Sequence, residues 1–181
     1  MLDAAMEYVA ANGLTDISMR GLAEELGTSH RMLSHHFGSK EGLWVAIVQE
    51  VERSQREAIA ELAPDATASL ADRLRTVWRH FSDPSLWPNE RLFFEVYGQA
   101  LQGQPHAVGL LDGIVDAWVE PAVADAEAQG VPGSVARPSA RLGVAVMRGL
   151  LLDLLATEDR EATDAAVEHW IQLNVGFYEG T

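Results

Sequence analysis

Apolar residues recur every three or four positions along most of the chain, which is the spacing of amphipathic helices. No segment alternates apolar and polar residues convincingly enough to predict a β-strand. The pattern therefore predicts an all-α protein of about nine helices. They cover approximately residues 2–12, 18–26, 29–37, 39–62, 69–81, 90–101, 107–128, 139–157 and 160–178, with loops expected at 82–89 and 130–138.

Two short predicted helices are joined at Gly27 and together predict a helix-turn-helix. The two helices of such a motif cross closely, so a small residue is needed at the contact, and Ala23 has that position. Four residues later the turn needs a left-handed backbone, which glycine adopts readily. Six residues further, Leu33 is expected to point into the core.

The second of these helices carries polar groups suited to DNA. Arg31 could pair bidentately with guanine, and Lys40 joins a cation to the amides of a helix N-terminus, a combination that binds phosphate. On spacing alone, two surface helices joined by a glycine turn remain an equally good interpretation. The residues expected to face DNA from this helix and its turn are Thr28, Ser29, His30, Arg31, Met32, Ser34 and His35.

The order of residues in this segment resembles the DNA-binding domain of the TetR family of bacterial transcriptional repressors. Residues 22–43 read LAEELGTSHRMLSHHFGSKEGL. The family pattern is matched by Ala23, Gly27-Thr28-Ser29, His36-Phe37 and Lys40-Glu41-Gly42-Leu43, and the resemblance extends over about residues 1–47. It implies base or phosphate contacts for His30, Arg31, Met32, Ser34 and His36, and phosphate contacts for Arg20 and Lys40.

The segment also departs from the family pattern. Ser34 stands where the family usually has tyrosine, and Arg31 and Met32 replace smaller residues. These departures suggest an unusual operator sequence.

The net charge of −14 is a poor match for a protein that binds nucleic acid nonspecifically. Residues 1–56 contain five basic and eight acidic residues, whereas residues 57–181 contain eight and nineteen. Within residues 17–43 the balance is three to three. The acidity thus belongs mainly to the C-terminal region, and the objection to DNA binding is only partial.

The composition predicts a soluble, cytoplasmic protein. The chain has no cysteine, and its first residues lack the apolar core of a signal peptide. Its most apolar stretch, 142–156, is interrupted by Arg148 and Asp153 and is too short for a bilayer. We expect no membrane association and no cofactor. A metal site is not expected either, because adjacent His35 and His36 diverge by about 100° on a helix.

We divide the chain into a DNA-binding domain, 1–46, and a ligand-binding and dimerisation domain, 47–181. Aromatic residues are concentrated between positions 78 and 118. Most would be core, but the resemblance implies a ligand cavity in this region, and a mostly apolar effector is expected. The predicted ligand contacts are Trp78, Phe81, Phe94, Tyr97, Trp118, Met147 and Leu151.

The last two predicted helices are apolar on more than one face, which favours a two-fold, four-helix interface between two chains. An internal helix pair within a larger bundle is the alternative. The predicted interface residues are Leu142, Val146, Leu150, Leu154, Val167, Trp170, Ile171, Asn174 and Tyr178.

Together these features predict a homodimeric regulator, a repressor that a small molecule releases from a palindromic double-stranded DNA operator. An all-helical enzyme acting on a small molecule is the alternative, although no grouped catalytic motif stands out. A helical scaffold protein with neither activity is the third hypothesis.

Overall fold

A computed structural model of the chain describes residues 1–12, 18–61 and 68–179, with side chains up to Val9 in the first helix and Asn174 in the last. These residues form nine α-helices and no strand, which confirms the predicted all-α class. The helices are α1 (Leu2–Asn12), α2 (Met19–Glu25), α3 (His30–Phe37), α4 (Lys40–Glu61), α5 (Leu70–Phe81), α6 (Trp87–Leu101), α7 (Asp116–Ala128), α8 (Gly133–Thr157) and α9 (Arg160–Glu179).

The predicted loop at 82–89 is wrong in its second half. A 3₁₀ turn, Pro84–Leu86, leads directly into α6, which begins at Trp87. Asp83 caps this turn by accepting a hydrogen bond from the backbone N–H of Ser85 at 2.8 Å. Pro88 falls in the first turn of α6, where its missing N–H would have had no partner within the helix.

The single helix predicted over 107–128 is also wrong. The chain forms a 3₁₀ turn at Val108–Leu111, breaks at Gly113 with φ +73°, and begins α7 only at Asp116. The break predicted at 130–138 is shorter than expected, because α8 begins at Gly133 and includes Pro138. Tertiary contacts stabilise this extra turn: Ala136 is buried, and Arg137 forms a bidentate ion pair with Glu120 of α7, at 2.6 and 2.9 Å.

The first compact unit comprises Met1–Gln55 and Pro88–Asp112. Its core combines residues of α1 to α4 with residues of α6 and the 3₁₀ turn that follows. One buried polar contact joins α4 to α6 here, since the amide of Gln55 donates to the carboxylate of Glu90. The fully buried members of this core include Ala5, Leu22, Leu33, Leu43, Ile47, Val48, Leu92, Val96 and Ala107.

The second compact unit comprises Arg56–Trp87 and Gly113–Thr181. In it α8 packs against both α7 and α9, and α5 packs against α9. Its core residues include Trp78, Val119, Val123, Ala136, Leu151, Leu154, Val167 and Ile171. The boundary between units falls inside α4, and the functional division near residue 46 stays a prediction.

Polar contacts fix α5 between its neighbours in the second unit. Arg73 donates to Asp125 of α7 at 2.7 Å. On the other side, Arg75 donates two hydrogen bonds to Glu168 of α9, at 2.9 and 2.6 Å, and this guanidinium lowers the pKa of the Glu168 carboxyl. The side chains of Arg75 and Glu168 are 41% and 40% exposed, so their ion pair contributes little to stability. Together these contacts link α5 to α7 on one side and to α9 on the other.

Across the described helices, none combines the length and apolar character needed to cross a membrane.

Candidate DNA-binding site

Three serines cap the helices of the predicted DNA-binding segment. The hydroxyl of Ser18 accepts from the N–H of Gly21 at 3.0 Å, that of Ser29 from Met32 at 3.1 Å, and that of Ser39 from Gly42 at 3.1 Å. Since α2 and α3 have only 7 and 8 residues, they would be marginal alone, and a cap contributes about 1 kcal/mol.

The turn between α2 and α3 has the predicted geometry. Gly27 has φ +60°, a left-handed conformation that other residues adopt only with strain. Thr28 then donates its N–H to the carbonyl of Ala23 at 2.9 Å. Ala23 is buried where α2 meets α3, and Leu33 has no exposed surface. The buried side of α3 therefore fixes which of its residues face outward.

The outward side of α3 is polar apart from one methionine. Met32 is 50% exposed and follows Arg31, which is exposed and lies in the first turn, the part of a recognition helix that reaches base edges. Ser34 and Thr28 are half-buried, and the exposed Ser29 has its hydroxyl engaged in the cap. The other predicted contacts that are exposed here are Arg20, His30, His35 and His36.

Lys40 begins α4 and is held by a neighbouring ring. Its ammonium lies 5.6 Å from the centroid of Trp44, one turn along, which is within the range of a cation–π contact. The next residue, Glu41, is bound into the cap: its own backbone N–H and the Ser39 hydroxyl lower the pKa of its carboxyl. The cation is therefore positioned beside helix amides, as a phosphate site requires.

Gly42 is required for the junction between α3 and α4, a role that the sequence pattern did not predict. A Cβ at this position would lie 2.1 Å from the backbone carbonyl oxygen of Phe37, the last residue of α3. Ser39 also donates its N–H to that same oxygen at 2.8 Å. The first turn of α4 thus packs directly on the end of α3, and the glycine within a helical pattern was the available signal.

We expect Gly42→Ala to destabilise the protein by about 1–3 kcal/mol, because backbone atoms must shift to admit the methyl group. Gly98→Ala in α6 is the matched control, since a Cβ there meets nothing within 4 Å. That change should be neutral or stabilising by about 0.5–1 kcal/mol. Denaturant unfolding of both variants measures the difference, and equal stabilities would contradict the tight packing at Gly42.

The predicted ligand contacts are distributed over both compact units. In the second unit, Phe81 and Trp118 meet edge to face with centroids 5.4 Å apart. In the first unit, Phe94 and Tyr97 each contact Phe93. Met147 is half-buried and Leu151 is buried in the second unit. A common ligand site for these residues stays a prediction.

Trp78 faces a different environment from the one the sequence predicted. It is buried, and its indole N–H donates to the carboxylate of Asp164 on α9 at 2.6 Å. It borders a surface cleft of about 360 Å³ between α5 and α9, whose rim is charged rather than apolar. The charged groups of this rim are Asp72, Arg75, Arg79, Arg160, Asp164 and Glu168.

The predicted interface residues differ in how much surface they offer to a partner. Leu142 is 55% exposed, and Val146, Leu150, Trp170 and Asn174 are half-buried. Three others already pack within the same chain, with exposures of 2% or less: Leu154, Val167 and Ile171. The side chain of Tyr178 lies outside the described residues. A four-residue repeat drifts by about 40° per step around a helix, so the predicted stripe passes from the surface into the core.

Comparison with known proteins finds a family match for the N-terminal segment, which contains the helix-turn-helix. Residues 1–47 match the profile of bacterial regulatory proteins of the tetR family. The HTH-type transcriptional regulator BetI of Stenotrophomonas maltophilia is 29% identical over 77 residues, which are 42% of this chain and 39% of that protein. The chain thus matches about two-fifths of the length of this curated relative.

Solved structures match the fold over nearly the whole chain. GusR of Salmonella enterica superposes with a TM-score of 0.69 at 25% identity, covering 94% of this chain and 90% of that one. A putative transcriptional regulator from Saccharomonospora viridis, in complex with choline, gives a TM-score of 0.67 at 22% identity and covers 94% and 91%. The N-terminal segment, residues 1–47, is thus similar to the DNA-binding region of the tetR family, and the whole chain has the fold of solved TetR-family regulators.

Proposed function

We propose that the protein is a homodimeric transcriptional repressor that binds a palindromic operator and releases it when a small molecule binds. The observation that carries the proposal is the outward side of α3. Exposed Arg31, Met32 and His36 stand on a helix whose opposite side is buried and whose start is fixed by Ser29. Such a helix can enter the major groove and read base edges. A repressor of chromosomal genes would act in the cytoplasm.

Dimerisation is supported by apolar surface on the last two helices. Among the exposed residues of α8, five small or apolar ones follow one another at intervals of three and four residues, which is the spacing of a helix-bundle seam. We name this the α8 stripe: Leu142, Ala145, Gly149, Leu152 and Ala156. Four of the exposed residues of α9 have the same spacing, and we name them the α9 stripe: Ala162, Ala166, His169 and Leu173.

Apart from His169, the two stripes contain no polar side chain, and yet they are exposed in a single chain. Leu142, Leu152 and Leu173 are 55%, 50% and 62% exposed. Small residues between them allow helices to approach closely. In a two-fold dimer each stripe would pack against the second chain and become buried. Such a dimer would also present two helix-turn-helix segments to the two half-sites of an operator.

A small-molecule effector is supported by the helical body and by what similar proteins bind. Structural neighbours are described in complex with choline, minocycline and imidazole. In this chain, residues 57–181 include the aromatic side chains of the second unit and contain nineteen acidic and eight basic residues. We expect a small ligand with apolar surface that is neutral or cationic.

The proposal is tested by selecting bound sequences from random double-stranded DNA at low salt. Enrichment of a palindrome, with half-sites about one helical turn apart, is the expected result. The same operator should be bound by a particle of twice the mass of the chain. Recovery of no sequence above background from this selection would overturn the proposed function.

A further inference from the structure

An arginine of the chain itself occupies an aromatic site in the second unit. The guanidinium of Arg56, on α4, lies 5.8 Å from the ring centroid of Trp118 on α7. Phe81 of α5 contacts the same indole edge to face, at 5.4 Å and an interplanar angle of 65°. All three side chains are half-buried. Three helices thus converge on one ring, and a cation already rests against it.

Tryptophan is the side chain whose ring attracts cations most strongly, and partial burial strengthens the attraction because water competes less. The edge contact from Phe81 holds the indole in place, so the ring is prepared for a cation before one arrives. Arg56 fills this position with its own head group. The site is therefore visible as a contact between side chains and not as an empty space.

From this arrangement we infer that Trp118 is the binding site for a small organic cation, and that the ligand binds by displacing the guanidinium of Arg56. The ligand class is a quaternary ammonium or an alkylguanidinium, whose charge is spread over an apolar or planar head. The charge of the chain favours this class, because residues 57–181 contain nineteen acidic and eight basic residues. Such an excess attracts cations and repels anions.

The position of Arg56 on α4 could couple ligand binding to DNA binding. Arg56 belongs to α4, the continuous helix that begins at Lys40, immediately after the turn that ends α3. The contact of Arg56 with Trp118 links α4 to α7. A ligand that displaces Arg56 from the ring breaks this contact. This step rests on the proposed function, since it requires that α4 carry the DNA-reading segment. A ligand shifts the protein only by its preference for the displaced state.

Competition with Arg56 makes a distinctive prediction about affinity. Removing the arginine should tighten ligand binding, because the ligand no longer has to displace it. At the same time the ligand should no longer change the affinity for the operator, because the contact between Arg56 and Trp118 that it breaks is already absent. A residue that merely contacted the ligand would weaken binding when removed. Only if Arg56 competes with the ligand does its removal raise the affinity for the ligand and at the same time abolish the effect of the ligand on operator binding.

The experiment measures binding by isothermal titration calorimetry, using tetramethylammonium and methylguanidinium as probes and tert-butanol as the neutral counterpart. Relative to the unmodified chain, Arg56→Gln should bind both cations roughly two- to thirtyfold more tightly, the range of a cation–π contact. Trp118→Leu should abolish binding of both. Arg53→Ala is the matched control, since this arginine lies on α4 and pairs with Glu50. It should bind like the unmodified chain.

Thermal unfolding of each variant shows that it is folded before binding is compared. The inference is overturned if Arg56→Gln binds the cations no more tightly than Arg53→Ala does, if Trp118→Leu binds unchanged, or if tert-butanol binds as well as the cations. A second arm measures operator affinity with and without tetramethylammonium, and only the unmodified chain and Arg53→Ala should respond. If no operator exists, the proposed function fails while the calorimetry still decides the cation site.

Discussion

Replacing Leu152 by glutamate is expected to separate the two chains and to lower operator affinity by about 10²–10⁴-fold, the usual gain from linking two binding events. Leu152 is 50% exposed and lies within the α8 stripe, between Gly149 and Ala156. In a two-fold interface the substitution occurs twice, so two carboxylates would leave water without gaining a partner. That penalty amounts to several kcal/mol per ion.

Leu101→Glu is the matched control for this variant. Leu101 is 64% exposed at the end of α6, a helix that carries neither stripe, and the change in charge is identical. Molecular mass by light scattering should show a monomer for Leu152→Glu and a dimer for the control. Fluorescence anisotropy with the selected operator should show the fall in affinity only for the monomer. A Leu152→Glu variant that stays dimeric would exclude the α8 stripe as the interface.

The parts of the fold that the sequence predicts well depend on local chemistry. Ser18, Ser29 and Ser39 cap their helices because each hydroxyl finds an N–H three residues ahead within the same segment. Gly27 adopts a positive φ for a reason that is also local. These signals need no knowledge of the rest of the chain, and the first helices follow the predicted boundaries closely.

The parts that it predicts poorly depend on contacts between distant segments. Pro138 indicated a break, yet α8 continues through it because Ala136 is buried and Arg137 binds Glu120, 17 residues earlier. In the stretch before α7 the reverse occurs: the helical spacing of apolar residues continues, yet the chain forms only a 3₁₀ turn and breaks at Gly113, where φ is +73°. The spacing of apolar residues indicates which residues can be buried, but it does not predict which helix will pack against them.

The same distinction applies to the candidate sites. The outward residues of α3 follow from a pattern that buries Leu33 on the opposite side. By contrast, the interface residues of α8 were predicted with a repeat of four, whereas the exposed small and apolar residues of the α8 stripe follow intervals of three and four. The contact of Arg56 with Trp118 joins residues 62 positions apart in the sequence. No spacing rule connects such a pair, and only the three-dimensional structure shows that the two side chains meet.

Arg31→Ala is expected to weaken operator binding by about 1–3 kcal/mol per half-site and to relax the preference at one base position in each. Arg31 is exposed on the first turn of α3, and a guanidinium can donate two hydrogen bonds to the acceptors of one guanine. The proposed dimer would carry two copies, so the total effect would be about twice the value for one half-site. Selection from random DNA with the variant should recover the remaining positions unchanged.

Lys40→Ala should behave differently, although it also removes one positive charge. Its ammonium is held 5.6 Å from the Trp44 ring at the start of α4, where it would meet a phosphate and read no base. Affinity for all sequences should fall by a similar factor. The slope of log affinity against log salt should decrease in magnitude by about two, because the proposed dimer would carry two copies of this lysine and each would neutralise one phosphate.

The comparison of these two variants separates base reading from phosphate binding at constant change in charge. Arg53→Ala, which removes a cation that pairs with Glu50 on α4, provides the baseline for the removal of charge alone. Arg31→Ala should alter the selected sequence, and Lys40→Ala should alter the salt dependence. If both variants weakened every sequence equally and left the selected operator unchanged, Arg31 would be a phosphate contact, and the sequence preference would have to come from Met32, His36 or their neighbours on α3.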